Sequence, residues 1–150
     1  MTIRRLSPLH PDALALIDGS EREQAALYPP HLRNVMYPQE LVDADVRCFV
    51  GHDADAPVGC SGYQAFDGYG ELKRIYVAQD KRGQGWAETQ VTACEYAACA
   101  EGLAAMGLET GDVSHAALRF YARVGYAPTG PFGGYIENGS SIFMHKALTP

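Results

Sequence analysis

The segment DKRGQGWAETQ, residues Asp80–Gln90, places two glycines, Gly83 and Gly85, directly before a stretch with helical apolar periodicity. Glycine adopts positive φ angles without strain and lets a ligand come close to the backbone. The first turn of a helix also carries backbone N–H groups that have no partner within the helix. Such a loop is typical of a site that binds phosphate.

Basic residues surround this loop. Between Glu71 and Gly85 the only acidic residues are Glu71 and Asp80. The basic residues in the same window are Lys73, Arg74, Lys81 and Arg82. Most short charge clusters are solvated surface, but this one coincides with the glycines in a chain whose formal net charge is −6. The coincidence favours an anion site.

The composition predicts one soluble domain. The chain has 150 residues, of which 47% are hydrophobic and 20% charged, as in ordinary globular proteins. No apolar run is long enough to cross a bilayer, and Met1–His10 lacks the apolar centre of a signal peptide. We therefore expect a cytoplasmic protein without a membrane partner. The acidic balance argues against nucleic-acid binding, which requires a basic face.

The cysteines and histidines do not indicate a metal site. The four cysteines form no CxxC pair, so we expect reduced and mostly buried thiols. The five histidines show no ligand spacing. No Ser/His/Asp arrangement for nucleophilic catalysis is recognisable either.

Strands and helices alternate along the chain. The predicted strands are Thr2–Ser7, Arg47–Gly51, Val58–Phe66, Glu71–Val77, Ala105–Thr110, Tyr126–Pro128 and Ser141–Leu148. The predicted helices are Pro11–Leu27, Gln39–Val42, Trp86–Ala100 and Ala116–Val124. A break is expected in the first helix at Gly19-Ser20, where Ser20 is a candidate N-cap with Glu23 three residues later. The order of elements predicts a mixed α/β domain.

Two common phosphate motifs are excluded. GxxxxGK[ST] is absent, and GxGxxG fails because Glu88 stands where the third glycine is required. The segment Arg82–Ala87 instead has the form R-x-x-G-x-A, after a strand and at the start of a helix. It resembles the acetyl-coenzyme A pyrophosphate loop of the GNAT superfamily of N-acetyltransferases.

The resemblance covers roughly Val58 to Leu148, in the expected order and spacing. The similar segments are ELKRIYV (Glu71–Val77), ACEYAACAEG (Ala93–Gly102), LETG (Leu108–Gly111), AALRFYARVGY (Ala116–Tyr126) and FMHKAL (Phe143–Leu148). It implies one α/β (α+β) domain over residues 1–150, with a central mixed, mostly antiparallel twisted sheet flanked by helices. Within it, residues 1–57 would shape the acceptor site and residues 58–148 the cofactor-binding core.

The resemblance also implies the cosubstrate, acetyl-coenzyme A, and the residues that would bind it. These are Ile75, Tyr76, Val77, Arg82, Gly83, Gln84, Gly85, Trp86, Ala87 and Ser114. The strand ending at Val77 is expected to separate from its neighbour and leave backbone groups for the pantetheine arm. Two positions depart from the family pattern. Glu88 puts a negative charge in the first helical turn, and Ser114 stands where asparagine is frequent.

Acetyl transfer to an amine needs two proton transfers, one from the amine and one to the departing thiolate. The resemblance implies that Tyr121 protonates the thiolate and that Glu71 acts as the base, often through water. Both residues also have an interpretation that involves no catalytic role. Tyr121 shares a helical face with Ala117, Phe120 and Val124 and could simply pack in the core, and Glu71 could be an exposed carboxylate at a strand end.

The acceptor is left open by the sequence. The side chains in regions that flank the acceptor channel of similar proteins are Tyr28, His31, Met36, Tyr37, Tyr63 and Phe66. Of these we take as candidate substrate-binding residues Tyr28, His31, Tyr37 and Tyr63. Aromatic side chains in these regions fit a small, partly apolar amine. Amino acids, dipeptides, polyamines, drugs and a protein amino terminus all remain candidate acceptors.

The sequence is therefore consistent with two functions of different classes. One is an N-acetyltransferase in which a small-molecule amine attacks acetyl-coenzyme A directly in a ternary complex; a longer acyl donor is a variant of it. The other is a non-catalytic acyl-coenzyme A sensor that regulates a partner protein, which would have no need of Tyr121 and Glu71. We expect a homodimer, because similar proteins often pair.

Overall fold

The computed structural model describes residues 1–33 and 36–149, which form seven strands and four α-helices. The strands are β1 (Thr2–Arg5), β2 (Arg47–Asp53), β3 (Ala56–Ala65), β4 (Tyr69–Val77), β5 (Ala105–Gly111), β6 (Ala127–Thr129) and β7 (Ser141–Ala147). The helices are α1 (Pro11–Leu27), α2 (Pro38–Asp43), α3 (Trp86–Ala100) and α4 (His115–Arg123). None of the helices in the described part of the chain is long and apolar enough to cross a membrane.

All seven strands form one sheet in the order β1-β2-β3-β4-β5-β7-β6. Strands β4 and β5 run parallel, and every other neighbouring pair is antiparallel. The connection between the two parallel strands contains α3, as a crossover requires. The predicted mixed, mostly antiparallel sheet flanked by helices is confirmed.

The helices α1 and α3 cover opposite faces of the sheet. Val50 packs with α1, whereas its neighbour Gly51 faces Trp86 and Gln90 of α3, as alternation along a strand dictates. Buried residues on the α1 side are Ala13, Leu16, Ile17, Leu41, Val46, Cys48, Val50 and Cys60. Those on the α3 side are Tyr63, Leu72, Val91, Cys94, Ala98, Met106, Leu108, Tyr121, Tyr126 and Met144.

A buried glutamine fixes the position of α3. The Gln90 amide donates to the Gly59 carbonyl oxygen at 2.9 Å and accepts from the Ser61 hydroxyl at 2.6 Å. A Cβ atom on Gly51 would lie 2.6 Å from the same amide nitrogen, so only glycine leaves room for it. Because buried polar groups are held by specific partners, this network holds the start of α3 against β2 and β3.

The expected break in α1 is wrong. The helix runs without interruption from Pro11 to Leu27, and Ser20 is buried rather than a cap. A Cβ atom on Gly19 would lie 2.9 Å from the Tyr76 hydroxyl oxygen. Gly19 therefore allows β4 to approach closely, and packing against Tyr76 outweighs the low helix propensity of glycine.

Candidate functional site

The glycine loop lies on the surface at the start of α3. Gly83 and Gly85 have φ angles of 77° and 88°, and Gly85 is the N-cap of the helix. A Cβ atom added at either glycine would meet no other atom within 4 Å, so the loop faces open space. Trp86 is 4% exposed and packs with Val58 and Val77, which leaves its backbone as the part available to a ligand.

Arg82 anchors this loop to two other elements. Its Nε donates to the Val77 carbonyl oxygen at 2.9 Å, and its Nη2 lies 2.6 Å from Glu23 Oε2 on α1. Its guanidinium also lies 5.5 Å from the centre of the Tyr76 ring. Gln84 is exposed, and its side-chain amide donates to the Asp80 carbonyl oxygen at 3.4 Å.

The basic window seen in the sequence is largely neutralised by the fold. Lys73 pairs with Glu71, while the other three cations pair with carboxylates from distant segments. The distant pairs are Arg74–Glu21, Lys81–Asp53 and Arg82–Glu23. The window is therefore not the isolated basic patch that the sequence indicates, because carboxylates that are distant in the sequence lie next to it in the fold.

Strand β4 separates from β5 after three paired positions, of which the last is Glu71 with Gly107. On its other side β4 stays paired with β3 but contains a bulge, in which Arg74 and Ile75 oppose Ser61 alone. Arg74 has a φ of 56°, and bulges commonly redirect side chains next to functional sites. The expected separation of the strand that ends at Val77 is thus visible in the pairing.

A cleft of about 470 Å³ opens where the two strands part. It is bordered by β4, β5, α1, the start of α4 and the segment before β7. The predicted site residues that line it are Tyr28, Glu71, Ile75, Ser114 and Tyr121. The fold therefore brings both predicted proton carriers to one cleft from strands and helices that are distant in the chain.

Glu71 is a buried carboxylate, 4% exposed, and not the exposed strand end that the sequence allowed. Its Oε2 accepts from Lys73 Nζ at 3.1 Å and from the Tyr135 hydroxyl. The Tyr135 ring packs edge-on against Phe132, and burial is the main cause that raises the pKa of its phenol. The phenol therefore keeps its proton and donates it in the hydrogen bond to Glu71.

Tyr121 is 8% exposed and packs against Tyr126 and Phe120, yet it also lines the cleft. Its two readings from the sequence, core residue and proton carrier, are compatible in this position. Among the residues that the structure describes, none forms a hydrogen bond with the Tyr121 hydroxyl. Burial raises the pKa of this phenol above its ordinary value.

Tyr28 closes the cleft at the end of α1. Its hydroxyl accepts from the Val113 backbone N–H at 3.0 Å and lies 3.2 Å from the Ser114 hydroxyl. Ser114 occupies the N-cap position of α4, but its side chain makes no capping bond. The Ser114 hydroxyl instead lies against the Tyr28 hydroxyl.

Other predicted substrate residues lie away from the cleft. His31 and Tyr37 are exposed, Tyr37 by 66%, and neither lines it. Tyr63 is fully buried in the core on the α3 side, beneath the Arg47 guanidinium. The regions chosen from the sequence flank the cleft, but strand alternation and local turns direct these three side chains elsewhere.

Sequence reasoning missed several side chains of the cleft, among them Arg33, Arg74 and Tyr135. Tyr135 follows a glycine-rich stretch, which shows no helical or strand period. The only available signal was compositional: a lone tyrosine within a small-residue loop next to a late strand. No local sequence pattern indicates that this loop reaches β4.

Residues 13–126 match the model of the acetyltransferase (GNAT) family. An IAA acetyltransferase of Azospirillum brasilense is 36% identical over 151 residues, which cover 99% of this chain and 98% of the relative.

Solved structures show the same fold. A candidate acyl-CoA N-acyltransferase of Klebsiella pneumoniae is 30% identical with a TM-score of 0.83, covering 99% of this chain and 97% of that one. The PaiA N-acetyltransferase of Thermoplasma acidophilum, solved in complex with coenzyme A, is 16% identical with a TM-score of 0.75. That match covers 98% of this chain and 99% of the other.

Proposed function

The chain belongs to the acetyltransferase (GNAT) family, and we propose that it moves an acetyl group from acetyl-coenzyme A to a primary amine of a small molecule. The observation that carries this proposal is the cleft between β4 and β5. Glu71 and Tyr121 line it together, so a base and an acid serve one reacting centre.

The glycine loop fits the pyrophosphate of acetyl-coenzyme A. Gly83 and Gly85 leave open space in front of the backbone, and α3 begins there with its positive dipole end. The unpaired edge of β4 beyond Glu71 offers backbone groups to the pantetheine arm. When bound, acetyl-coenzyme A supplies an activated thioester and a good leaving group.

In this proposal, Glu71 accepts the proton of the attacking amine. A primary amine is protonated at neutral pH and becomes a nucleophile only after it loses a proton. Lys73 and Tyr135 both bond to Oε2 of Glu71, and no bond from the described residues to Oε1 is seen, which leaves that oxygen for the amine or a water. The two donors orient the carboxylate.

In this proposal, Tyr121 protonates the departing sulfur. Its raised pKa keeps the phenol protonated beyond the ordinary tyrosine value of about 10. The acid form therefore persists across the pH range in which an amine acceptor is increasingly deprotonated. The hydroxyl also has no hydrogen bond to the described residues that would hold its proton elsewhere.

Direct attack is favoured over a covalent acyl-enzyme. Burial raises the pKa of the Cys48 thiol to about 11 and that of Cys94 to about 12, and Cys60 is raised further. A thiolate is the reactive form of cysteine. No cysteine lines the cleft, whose borders lie in the described residues, so the amine would attack the thioester itself.

The test combines binding with turnover. Acetyl-coenzyme A should raise the melting temperature by mass action, and nicotinamide cofactors and ATP should do so much less. A panel of amines is then offered with acetyl-coenzyme A, and release of free thiol is measured. A calorimetric titration without binding of acetyl-coenzyme A would contradict the proposal. Binding without turnover on any amine would favour the sensor.

The homodimer stays a prediction. Strand β6 is three residues long and forms one end of the sheet, so one edge is open to pairing. Light scattering across the working concentration range tests it, and a monomer mass throughout would exclude it.

A further inference from the structure

Two arginines share one carboxylate in the wall of the cleft. Arg33 Nη1 donates to Glu21 Oε1, and Arg74 Nη1 donates to Glu21 Oε2 at 3.3 Å. Both arginine side chains are 15% exposed, and that of Glu21 is 30% exposed. Two guanidinium charges face one carboxylate charge, so this cluster holds a surplus of one positive charge that is mostly shielded from water.

The surplus is not removed by the other groups around it. The second Arg74 nitrogen donates to the Met36 carbonyl oxygen at 2.7 Å, which is neutral. Arg33 Nε is buried without a hydrogen-bond partner in the described part of the chain. Since a buried donor without a partner and an unbalanced buried charge are both costly, the cluster favours an additional anion.

The remaining charges of the cleft are already engaged. Glu71 pairs with Lys73, and Glu23 pairs with Arg82. Glu109 on β5 accepts from the Ser141 hydroxyl at 2.8 Å. The positive surplus therefore belongs to the cluster of Arg33, Arg74 and Glu21, in which the Arg74 side chain reaches from β4 to α1, while Glu109 lies elsewhere in the cleft wall, on β5.

Apolar side chains lie beside the cluster. Leu27, Leu32 and Met36 line the same cleft, and all three belong to α1 or the segment that follows it. The cleft thus combines guanidinium groups with apolar surface beside α1, and Glu71 lies on β4, three residues before Arg74. A molecule that spans these features needs an anionic group, an apolar body and an amine.

We propose that the acceptor is a carboxylate-bearing amine with an apolar body, such as an apolar amino acid, and that Arg33 and Arg74 bind its carboxylate. The proposal rests on the acetyltransferase function above and specifies its substrate class. A guanidinium binds a carboxylate through parallel hydrogen bonds, which suits this pairing. Arg33 and Arg74 then act on substrate affinity, whereas Glu71 and Tyr121 act on proton transfer.

The experiment uses matched acceptor pairs that differ only in the carboxylate. L-phenylalanine is compared with phenethylamine, and L-leucine with 3-methylbutylamine, by kcat/KM for thiol release. We expect the carboxylated member to be preferred by ~10-fold or more, the range of a charge-assisted hydrogen bond. Arg33→Gln should reduce this preference towards one through KM, and Arg33→Lys should keep part of it.

Arg47→Gln is the matched control. Arg47 is 17% exposed and pairs with Glu101 and Asp45 outside the cleft, so its loss should leave the preference unchanged. Equal or better use of the decarboxylated amines would overturn this inference while the acetyltransferase function stands. An Arg33→Gln defect in the KM for acetyl-coenzyme A alone would overturn it too, because the arginine would then serve the cofactor. No turnover on any amine would instead contradict the function on which it rests.

Discussion

The glycine loop and the wall of the cleft around Glu71 lie close to the two ends of β4 but recognise chemistry in different ways. Residues 82–85 of the loop are exposed, Gly83 and Gly85 have positive φ angles, and backbone N–H groups are what this loop would offer to a ligand. Glu71 is 4% exposed, and its neighbours are side chains from β4 and from the segment before β7. The loop is defined by its backbone conformation, and the cleft wall by side chains that converge from distant segments.

Because of this difference, the two regions are not equally recognisable from the sequence. A backbone site requires residues with unusual conformational freedom, so it leaves a local pattern such as Gly83 and Gly85. A side-chain site requires only that suitable groups meet in space, and any chain positions can supply them. The two regions should therefore respond differently to substitution. A change in the loop should weaken the binding of acetyl-coenzyme A, and a change in the cleft should lower turnover.

The largest effect should follow Tyr121→Phe, which tests the cleft. The substitution removes one oxygen and keeps the ring that packs against Phe120 and Tyr126. Turnover should fall by ~10²-fold or more, as for loss of a positioned general acid, while calorimetry should show unchanged binding of acetyl-coenzyme A.

Tyr96→Phe is the control for this change, since Tyr96 is 80% exposed on α3 and its hydroxyl has no role in the mechanism. Parent-like turnover by Tyr121→Phe on a validated amine would make Tyr121 a core residue only.

A smaller effect is expected for Gly85→Val, which tests the loop. At a φ of 88° a branched side chain is strained, and its methyl groups would enter the space in front of the backbone. We expect the Kd for acetyl-coenzyme A to rise ~10-fold to ~100-fold, because strain of roughly 1–3 kcal/mol opposes the bound conformation.

Gly102→Val controls for backbone strain alone. Gly102 has a φ of 85° and equally open surroundings, but it follows the other end of α3. It should lower the melting temperature and leave affinity for acetyl-coenzyme A intact. If both variants bind acetyl-coenzyme A like the parent, the loop is only a connector.

A modest effect is expected for Tyr135→Phe, which probes the contact that orients Glu71. The variant loses one of the two donors to Oε2 and keeps the aromatic packing with Phe132 and Phe143. We expect kcat to fall by ~10-fold, consistent with a lost charge-assisted hydrogen bond, at an unchanged KM for acetyl-coenzyme A.

Tyr126→Phe is the matched control, because it removes a 2.7 Å hydrogen bond from a tyrosine to Glu95 outside the cleft. That variant should change stability and not kcat. A Tyr135→Phe enzyme with the parent kcat would show that Lys73 suffices to orient Glu71.

The smallest effect should follow Glu88→Gln at the start of α3. Glu88 is exposed in the first helical turn, where its charge interacts favourably with the helix dipole. We expect the Kd for acetyl-coenzyme A to change by less than ~3-fold, since an exposed charge is well screened. A tenfold gain in affinity would mean that the carboxylate faces the phosphates and opposes their binding.

The sequence by itself determined the positions of most helices and strands and of the glycine loop before α3. The bounds of α3 are those predicted, Trp86–Ala100, because the glycines before it and the apolar period within it act over a few residues. The strands β4 and β5 were also located to within two residues at either end. Backbone preferences of this kind are short-range, so a short stretch of chain contains the information that sets them.

Only the tertiary structure decided which side chains meet. It kept α1 continuous through Gly19 by packing it on Tyr76, and it neutralised the basic window with Glu21, Glu23 and Asp53. It also brought Tyr135 to Glu71 across 64 positions of sequence. Contacts over such separations depend on how helices and strands pack as a whole, and no local pattern records them.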